Sequence, residues 1–241
     1  MTTSVDIRRA SERGRSTTDW LDSKHSFSFA GYYDPSNTHH GLLLVNNDDV
    51  VAPGAGFDTH PHRDMEIVTW VLQGSLEHRD SMGNAGVIYP GLAQRMSAGT
   101  GVLHSEKNGS ADERVHFVQM WVVPDQTGID PGYQQAEIDD ASLAGGLMTI
   151  ASGMRDDAAI GLHNKNAALH GARLLPGESV TLPDAPLLHL FVPRGSVTLE
   201  GAEHLHEGDA VRFTGAGGHH VTATDSTEIL VWEMHAHLAG A

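Results

Sequence analysis

Two short stretches of this chain hold side chains of the kind, and at the spacing, that bind a metal ion. In Gly54-Ala-Gly-Phe-Asp-Thr-His60-Pro-His62-Arg-Asp-Met-Glu66, two histidines stand one residue apart just before a strand-like run. In an extended chain, side chains at i and i+2 point to one face, so both imidazoles lie close together, as two nitrogen ligands of one ion must. The second stretch, Ser97-Ala-Gly-Thr-Gly-Val-Leu-His104-Ser-Glu106, repeats the pattern with a histidine and a carboxylate. His60, His62, His104 and Glu106 thus make a complete four-ligand set of nitrogen and oxygen. Glu66 is a rival carboxylate, because in a continuous strand it shares the face of His60 and His62; spacing alone leaves the two glutamates even. A lone His-x-His in a chain with 17 histidines would read as solvated loop residues. The second pair and the flanking glycines make it a site. Cysteine is absent, which excludes disulfides, thiolate ligands, iron–sulfur clusters and a cysteine nucleophile. A three-histidine, one-glutamate site accepts iron, copper, nickel, manganese or zinc.

Strands must position these residues. The chain has 27 glycines and 10 prolines spread between short β-branched runs, and helical periodicity is nowhere sustained. Strand patterns fall at residues 41–45, 66–72, 75–78, 115–123, 187–192, 196–199, 210–213 and 228–233, so an all-β architecture is expected. An internal repeat is visible. Residues 69–77 (ThrTrpValLeuGlnGlySerLeuGlu) resemble 190–200 (LeuPheValProArgGlySerValThrLeuGlu), and each is followed by a second turn and a Gly-rich loop, at 97–101 and 214–218. Two copies of one β-unit account for the 241 residues. The turn-rich, then acidic stretch after Asp125 marks the join, giving expected units at 1–125 and 146–241 with a connection at 126–145.

The charge balance, 15 Lys and Arg against 31 Asp and Glu, gives −16 and disfavours direct nucleic-acid binding. Residues 1–20 lack the apolar core of an export signal, and the longest uncharged run, 141–154, falls short of the roughly 20 apolar residues of a membrane span. A soluble cytoplasmic protein, without membrane contact and monomeric, is expected. His204-x-His206 repeats the metal-binding spacing in the second half, but it follows the turn at Gly195, whereas His60 and His62 precede the turn at Gly74 by 14 and 12 residues. The same offsets from Gly195 fall on Thr181 and Pro183, and the counterpart of Glu66 is Leu187. None of these is a suitable ligand, so no metal site is expected in the second half. His219 and His220 lie near the counterpart of His104 without partners and read as solvated or packed.

Gly54-(x5)-His60-x-His62-(x3)-Glu66, followed by a turn at Gly74, resembles the first motif of the cupin superfamily, and His104-(x3)-Asn108 resembles the end of the second. More narrowly, residues 20–35 (TrpLeuAspSerLysHisSerPheSerPheAlaGlyTyrTyrAspPro), 59–66 (ThrHisProHisArgAspMetGlu), 80–84 (AspSerMetGlyAsn) and 96–106 (MetSerAlaGlyThrGlyValLeuHisSerGlu) resemble the bacterial branch of the pirin family. The chain departs from the general cupin pattern by one extra residue between Glu66 and Gly74, and by Ser97 in place of proline; pirins share both departures.

The resemblance implies a bicupin of two β-sandwich barrels in tandem. It implies one metal, usually iron as Fe(II), in the first barrel, with the His-x-Glu pair supplying the fourth ligand through Glu106. It also implies quercetin 2,3-dioxygenase activity, the O2-dependent opening of a flavonol's central ring with release of carbon monoxide. The alternative of another class is a regulatory protein whose metal redox state modulates binding to a protein partner. Among other residues, the aromatic stretch 20–33 reads as an edge strand packed on the core. Trp70 has the parity of His60 and is expected to fill the first barrel, while Gln119 is placed to donate to a metal-bound substrate. Nothing in the spacing of His39 and His40 brings them to the site.

Overall fold

The structure, a computed structural model, describes residues 3–238. Its described strands form two sheets of seven and two of four. In the first half the large sheet runs in the order Gly132–Glu137, Leu92–Ser97, Glu66–Gln73, Val115–Val122, Leu43–Val51, Leu21–His25, Gly14–Thr17. Its small partner is ordered Gly56–His62, Val102–Lys107, Leu76–Asp80, Ala85–Ile88. The second half follows the same path. Its large sheet is ordered Ser4–Arg8, Ala210–Thr214, Leu187–Arg194, Thr227–Met234, Ala167–Leu174, Met148–Ser152, Ile160–Gly161, and its small sheet Ser179–Thr181, His220–Ala223, Ser196–Leu199, His204–His206. Gly74 and Gly195 sit at matching hairpins with φ of 74° and 76°, a conformation that glycine adopts without strain. The internal repeat is therefore a repeat of whole sandwich barrels.

Two strands cross the limits expected from the sequence. Ser4–Arg8, at the start of the chain, pairs with Ala210–Thr214 and completes the second barrel's sheet. Gly132–Glu137, inside the expected connection, pairs with Leu92–Ser97 and completes the first. Neither carries an apolar run, because each is an edge strand with one side to solvent.

The two large sheets pack against each other. Val68, Trp70, Leu72 and Met120 from the first meet Leu187, Phe191, Leu230 and Trp232 from the second in one buried cluster. Trp70 thus lies between the barrels and not inside the first one, and its indole N–H donates to Glu228 Oε1 at 2.5 Å. The aromatic stretch also divides. The strand ends at His25, Phe27 joins the inter-barrel core, Phe29 packs on Trp121, and Tyr33 is exposed. His40 faces the second barrel, with its Nε2 3.2 Å from the Phe213 carbonyl.

The barrel interiors differ in a way that decides where chemistry can occur. The second is filled by one apolar cluster that includes Leu188, Leu190, Val211, Val221 and Val231. In the first, two separate apolar clusters, one around Val71 and Phe117 and one around Ile67 and Met96, flank a polar row. Buried Asn47, Gln119, Thr69 and Gln94 stand opposite one another across four strands. The matching row of the second barrel is His170, Val231, Leu190 and Val211.

Buried Asp49, hydrogen-bonded by Ser23, lies beside this row, and burial first, then the charges of Asp48 and Glu106, pushes its carboxyl up to about 7. An unfolded aspartate titrates near 3.9. The folded state holds this proton more tightly, so the stability that Asp49 contributes is complete below about pH 4 and is lost as the pH rises to about 7. Asp49→Asn is expected to flatten the pH dependence of unfolding over that window and to be at least as stable as the parent chain at pH 8. Urea titrations from pH 4 to 8 check this, and parallel profiles for the two proteins would contradict it.

Candidate metal centre

Strand Val102–Lys107 lies between Gly56–His62 and Leu76–Asp80, and its inward side chains meet both neighbours. His104 stands opposite His60 on one side, and Glu106 stands opposite Phe57. Between these two pairs Ser105 alone faces both Asp58 and Thr59, a bulge of one extra residue. Close pairing here requires Gly56, at φ 149°: a Cβ on it would lie 2.3 Å from the Glu106 carbonyl oxygen.

The rings of His60, His62 and His104 converge. Their centroids are 4.8 Å apart for His60 and His62, 4.5 Å for His60 and His104, and 4.8 Å for His62 and His104. His60 Nδ1 is 2.7 Å from the Asp58 carbonyl, which can only accept, so this nitrogen carries the hydrogen and, in the neutral ring, Nε2 is bare. That bare Nε2 is 3.0 Å from His104 Nε2. His62 Nε2 is buried without a hydrogen-bond partner. Burial, then neighbouring His60, lowers the His62 pKa to about 4. Burial, then His60, His62 and His78, lowers that of His104 to about 2. Both are therefore neutral at pH 7, the state in which imidazole ligates.

Glu106 lies beside His104. Its Oε2 is 4.0 Å from His104 Nε2, and its Oε1 accepts from Gln119 Nε2 at 2.7 Å. Burial pushes its carboxyl up to about 7 against the opposing pull of the Gln119 hydrogen bond. Gln119 anchors Glu106. Three imidazoles, one with an orphaned buried nitrogen, and a neighbouring carboxyl fit a divalent transition metal. Beside the group, Trp121 sets its ring edge-on to His62, with centroids 4.8 Å apart.

Glu66 is elsewhere. The chain does not run straight from His62 to Glu66: Asp64 takes a left-handed φ of 49°, its N–H bonds the Gly99 carbonyl, and the strand that resumes at Glu66 belongs to the other sheet. The face assignment made for a continuous strand is thereby broken. Fully buried Glu66 points to the seam between the barrels, accepting the His163 backbone N–H at 3.0 Å with Arg95 at 3.9 Å. Ser97, in the place where cupins prefer proline, works in the same seam. Its hydroxyl bonds Arg95 and lies 3.0 Å from His163 Nδ1.

In the second barrel, His204–His206 is the edge strand of the small sheet farthest from Ser179–Thr181, the counterpart of Gly56–His62. Both of its histidines are exposed. Where the first barrel pairs His104 with His60, the second pairs exposed His220 with Thr181, whose hydroxyl is 3.1 Å from the His220 ring. Among the described residues, the candidate metal-holding groups are His60, His62 and His104, and His78, His104 and Glu106, both drawing on His104. His78 is the buried member that the sequence pattern did not single out. Its signal was its place at i−2 to Asp80 on a strand.

Two sandwich barrels in tandem, with a histidine and carboxylate cluster on the small sheet of the first, define a bicupin. The chain belongs to the pirin family: residues 6–122 match Pirin, and residues 149–234 match the quercetinase C-terminal cupin domain. A Mycobacterium tuberculosis protein provisionally named a quercetin 2,3-dioxygenase is 66% identical over 239 residues, covering 99% of this chain and 98% of that one. The quercetin 2,3-dioxygenase of Escherichia coli K12 is 38% identical over 231 residues, 95% of this chain and 98% of that one. The crystal structure of the E. coli bacterial pirin YhhW in complex with nickel(II) superposes with a TM-score of 0.88 at 37% identity, covering 97% of this chain and all (100%) of that one.

Replacing Glu66 by Gln keeps an acceptor for His163 but removes the charge beside Arg95. The expected result is a loss of about 1–3 kcal/mol in stability with metal content unchanged. Thermal unfolding and metal analysis of the variant check both parts; a variant that folds normally but loses metal would contradict the seam role.

Proposed function

We propose that this chain is a metal-dependent dioxygenase that opens the central ring of flavonols such as quercetin with O2 and releases carbon monoxide. The observation that carries the reading is the convergence of the His60, His62 and His104 rings, with an orphaned Nε2 on His62 and the buried Glu106 carboxyl 4.0 Å from His104 Nε2. The name of the E. coli relative, quercetin 2,3-dioxygenase, supports the choice of substrate. His60, His62, His104 and Glu106 would hold one divalent metal, with Fe(II) the first candidate and nickel, copper, manganese and zinc compatible with the same donors. A metal bound there supplies a redox-capable Lewis acid that four protein ligands leave open for further coordination.

The chain's own residues supply the proton chemistry. Glu106, a buried carboxyl at the site, would take the flavonol hydroxyl proton. Gln119 orients it through the 2.7 Å bond. The flavonol then lies in the site as an anion, the form that reacts with O2. Trp121 presents an aromatic edge at His62 and an indole N–H buried without a partner, a donor available to a substrate oxygen. An open depression of about 620 Å3, lined by Pro61, His62, Thr100, Val102 and Leu103 among others, gives room for a ligand of flavonol size. A cavity of similar volume, about 630 Å3, opens between the barrels along Leu72, Arg173 and Glu228, and none of its lining residues belongs to the histidine cluster.

The test is an aerobic assay of quercetin with the metal-loaded protein, measuring carbon monoxide. Ring opening with carbon monoxide release is expected, and Glu106→Gln is expected to lower turnover by at least about 100-fold, with a smaller loss of metal. A metal-loaded protein that releases no carbon monoxide would overturn the enzymatic reading in favour of a regulatory one. An active Glu106→Gln variant would overturn the role of Glu106.

A further inference from the structure

His78 is buried beside the site, yet the chemistry above gives it no part. It lies on strand Leu76–Asp80, opposite Glu106 in register, with its ring centroid 5.3 Å from that of His104. The two rings face each other through their Nδ1 atoms, 3.5 Å apart. On its other side, His78 Nε2 is 3.2 Å from Asp80 Oδ2.

These contacts fix where the hydrogens are. Asp80 accepts the backbone N–H groups of Met82 and Asn84 on Oδ1 at 2.9 and 3.0 Å, and the Asn84 amide on Oδ2 at 2.9 Å. A carboxylate supplied in this way is an acceptor only, so His78 Nε2 carries the hydrogen that reaches it. A neutral imidazole protonated at Nε2 has a bare Nδ1. That bare nitrogen faces His104 Nδ1, which must then be the donor. His104 is left with a bare Nε2, the atom 3.0 Å from His60 Nε2. Tyr133 covers the His78 ring at a centroid distance of 5.0 Å, and it fits there because residue 86 is glycine: a Cβ would stand 2.7 Å from the Tyr133 hydroxyl.

We propose that His78 is a positioning residue of the metal site: the chain from Asp80 through His78 to His104 holds His104 in the tautomer whose Nε2 is free to ligate. The proposal rests on the reading of His60, His62 and His104 as ligands. It assigns His78 to the support of the site and not to the ion itself, although ligand atoms of His78, His104 and Glu106 also lie within 4.8 Å of one another. Outer partners of this kind tune metal affinity by about 10–100-fold.

The experiment uses the full chain, stripped of metal, as the parent protein and as His78→Leu and His78→Asn. Asparagine places an acceptor oxygen near the position of the lost Nδ1, whereas leucine fills the space without one. Two readouts are taken: Co2+ titration followed by visible absorption, and the nitrogen-15 imidazole signals of His104 in the metal-free protein, which report its tautomer. The parent is expected to hold His104 protonated at Nδ1. His78→Leu is expected to mix the tautomers and to weaken Co2+ binding about 10–100-fold, and His78→Asn to restore most of both. Unchanged affinity and tautomer in His78→Leu would overturn the proposal. So would a folded His78→Asn that binds as poorly as His78→Leu, because His78 would then be a ligand. If the parent binds no Co2+, the ligand reading fails, and the His104 tautomer in metal-free His78→Leu still decides the role of His78.

Discussion

Two imidazole nitrogens that both present lone pairs repel when they sit 3.0 Å apart, as His60 Nε2 and His104 Nε2 do, unless a positive charge lies between them. The rest of the first barrel is arranged to hold that pair. The Asp58 carbonyl binds the far nitrogen of His60, and His78 binds the far nitrogen of His104, so neither ring relieves the repulsion by exchanging its hydrogen. Strand pairing opposes the two residues, and Gly56 brings their strands close enough. Burial keeps His104 and His62 neutral at pH 7, the state in which they can ligate a cation.

The cost of such a site is visible in the contrast between the barrels. A buried amide without partners costs about 1–3 kcal/mol, and in the first barrel Gln94 leaves both polar atoms of its side chain unpartnered. The second barrel places Val211 at the matching position and Leu190 and Val231 beside it, and its interior is one apolar cluster. It has the path of the first barrel without the chemistry, and its role lies at the shared face. Glu228 accepts from Trp70, Arg194 reaches the Leu72 carbonyl at 2.7 Å, and His163 meets Glu66. The second barrel thereby holds in place the sheet that carries Gln119.

Much of this was legible in the sequence because strand periodicity and offset from a turn are local properties. The i, i+2 spacing of His60 with His62, and of His104 with Glu106, anticipates the cluster that the fold assembles. The offset from Gly195 separates His204 and His206 from the counterpart strand. What escaped depends on events between strands. A left-handed residue at Asp64 moves Glu66 and Trp70 to the opposite side of the large sheet, and no periodicity count detects it. The run Asn46-Asn47-Asp48-Asp49 hides most of strand Leu43–Val51, because a buried polar row looks like a loop when read residue by residue. The exchange of edge strands between barrels has no local signature, and His78 becomes informative only when register sets it against His104.

The central claim is that one cation binds per chain, on the His60, His62 and His104 cluster of the first barrel. Elemental analysis of protein reconstituted with Fe2+ or Ni2+ and then desalted tests it most directly, with the parent chain set beside a His60→Ala, His62→Ala double variant whose fold is verified by circular dichroism. The account predicts one metal per parent chain and none in the double variant. A stoichiometry near two, or metal retained when both histidines are gone, would contradict it.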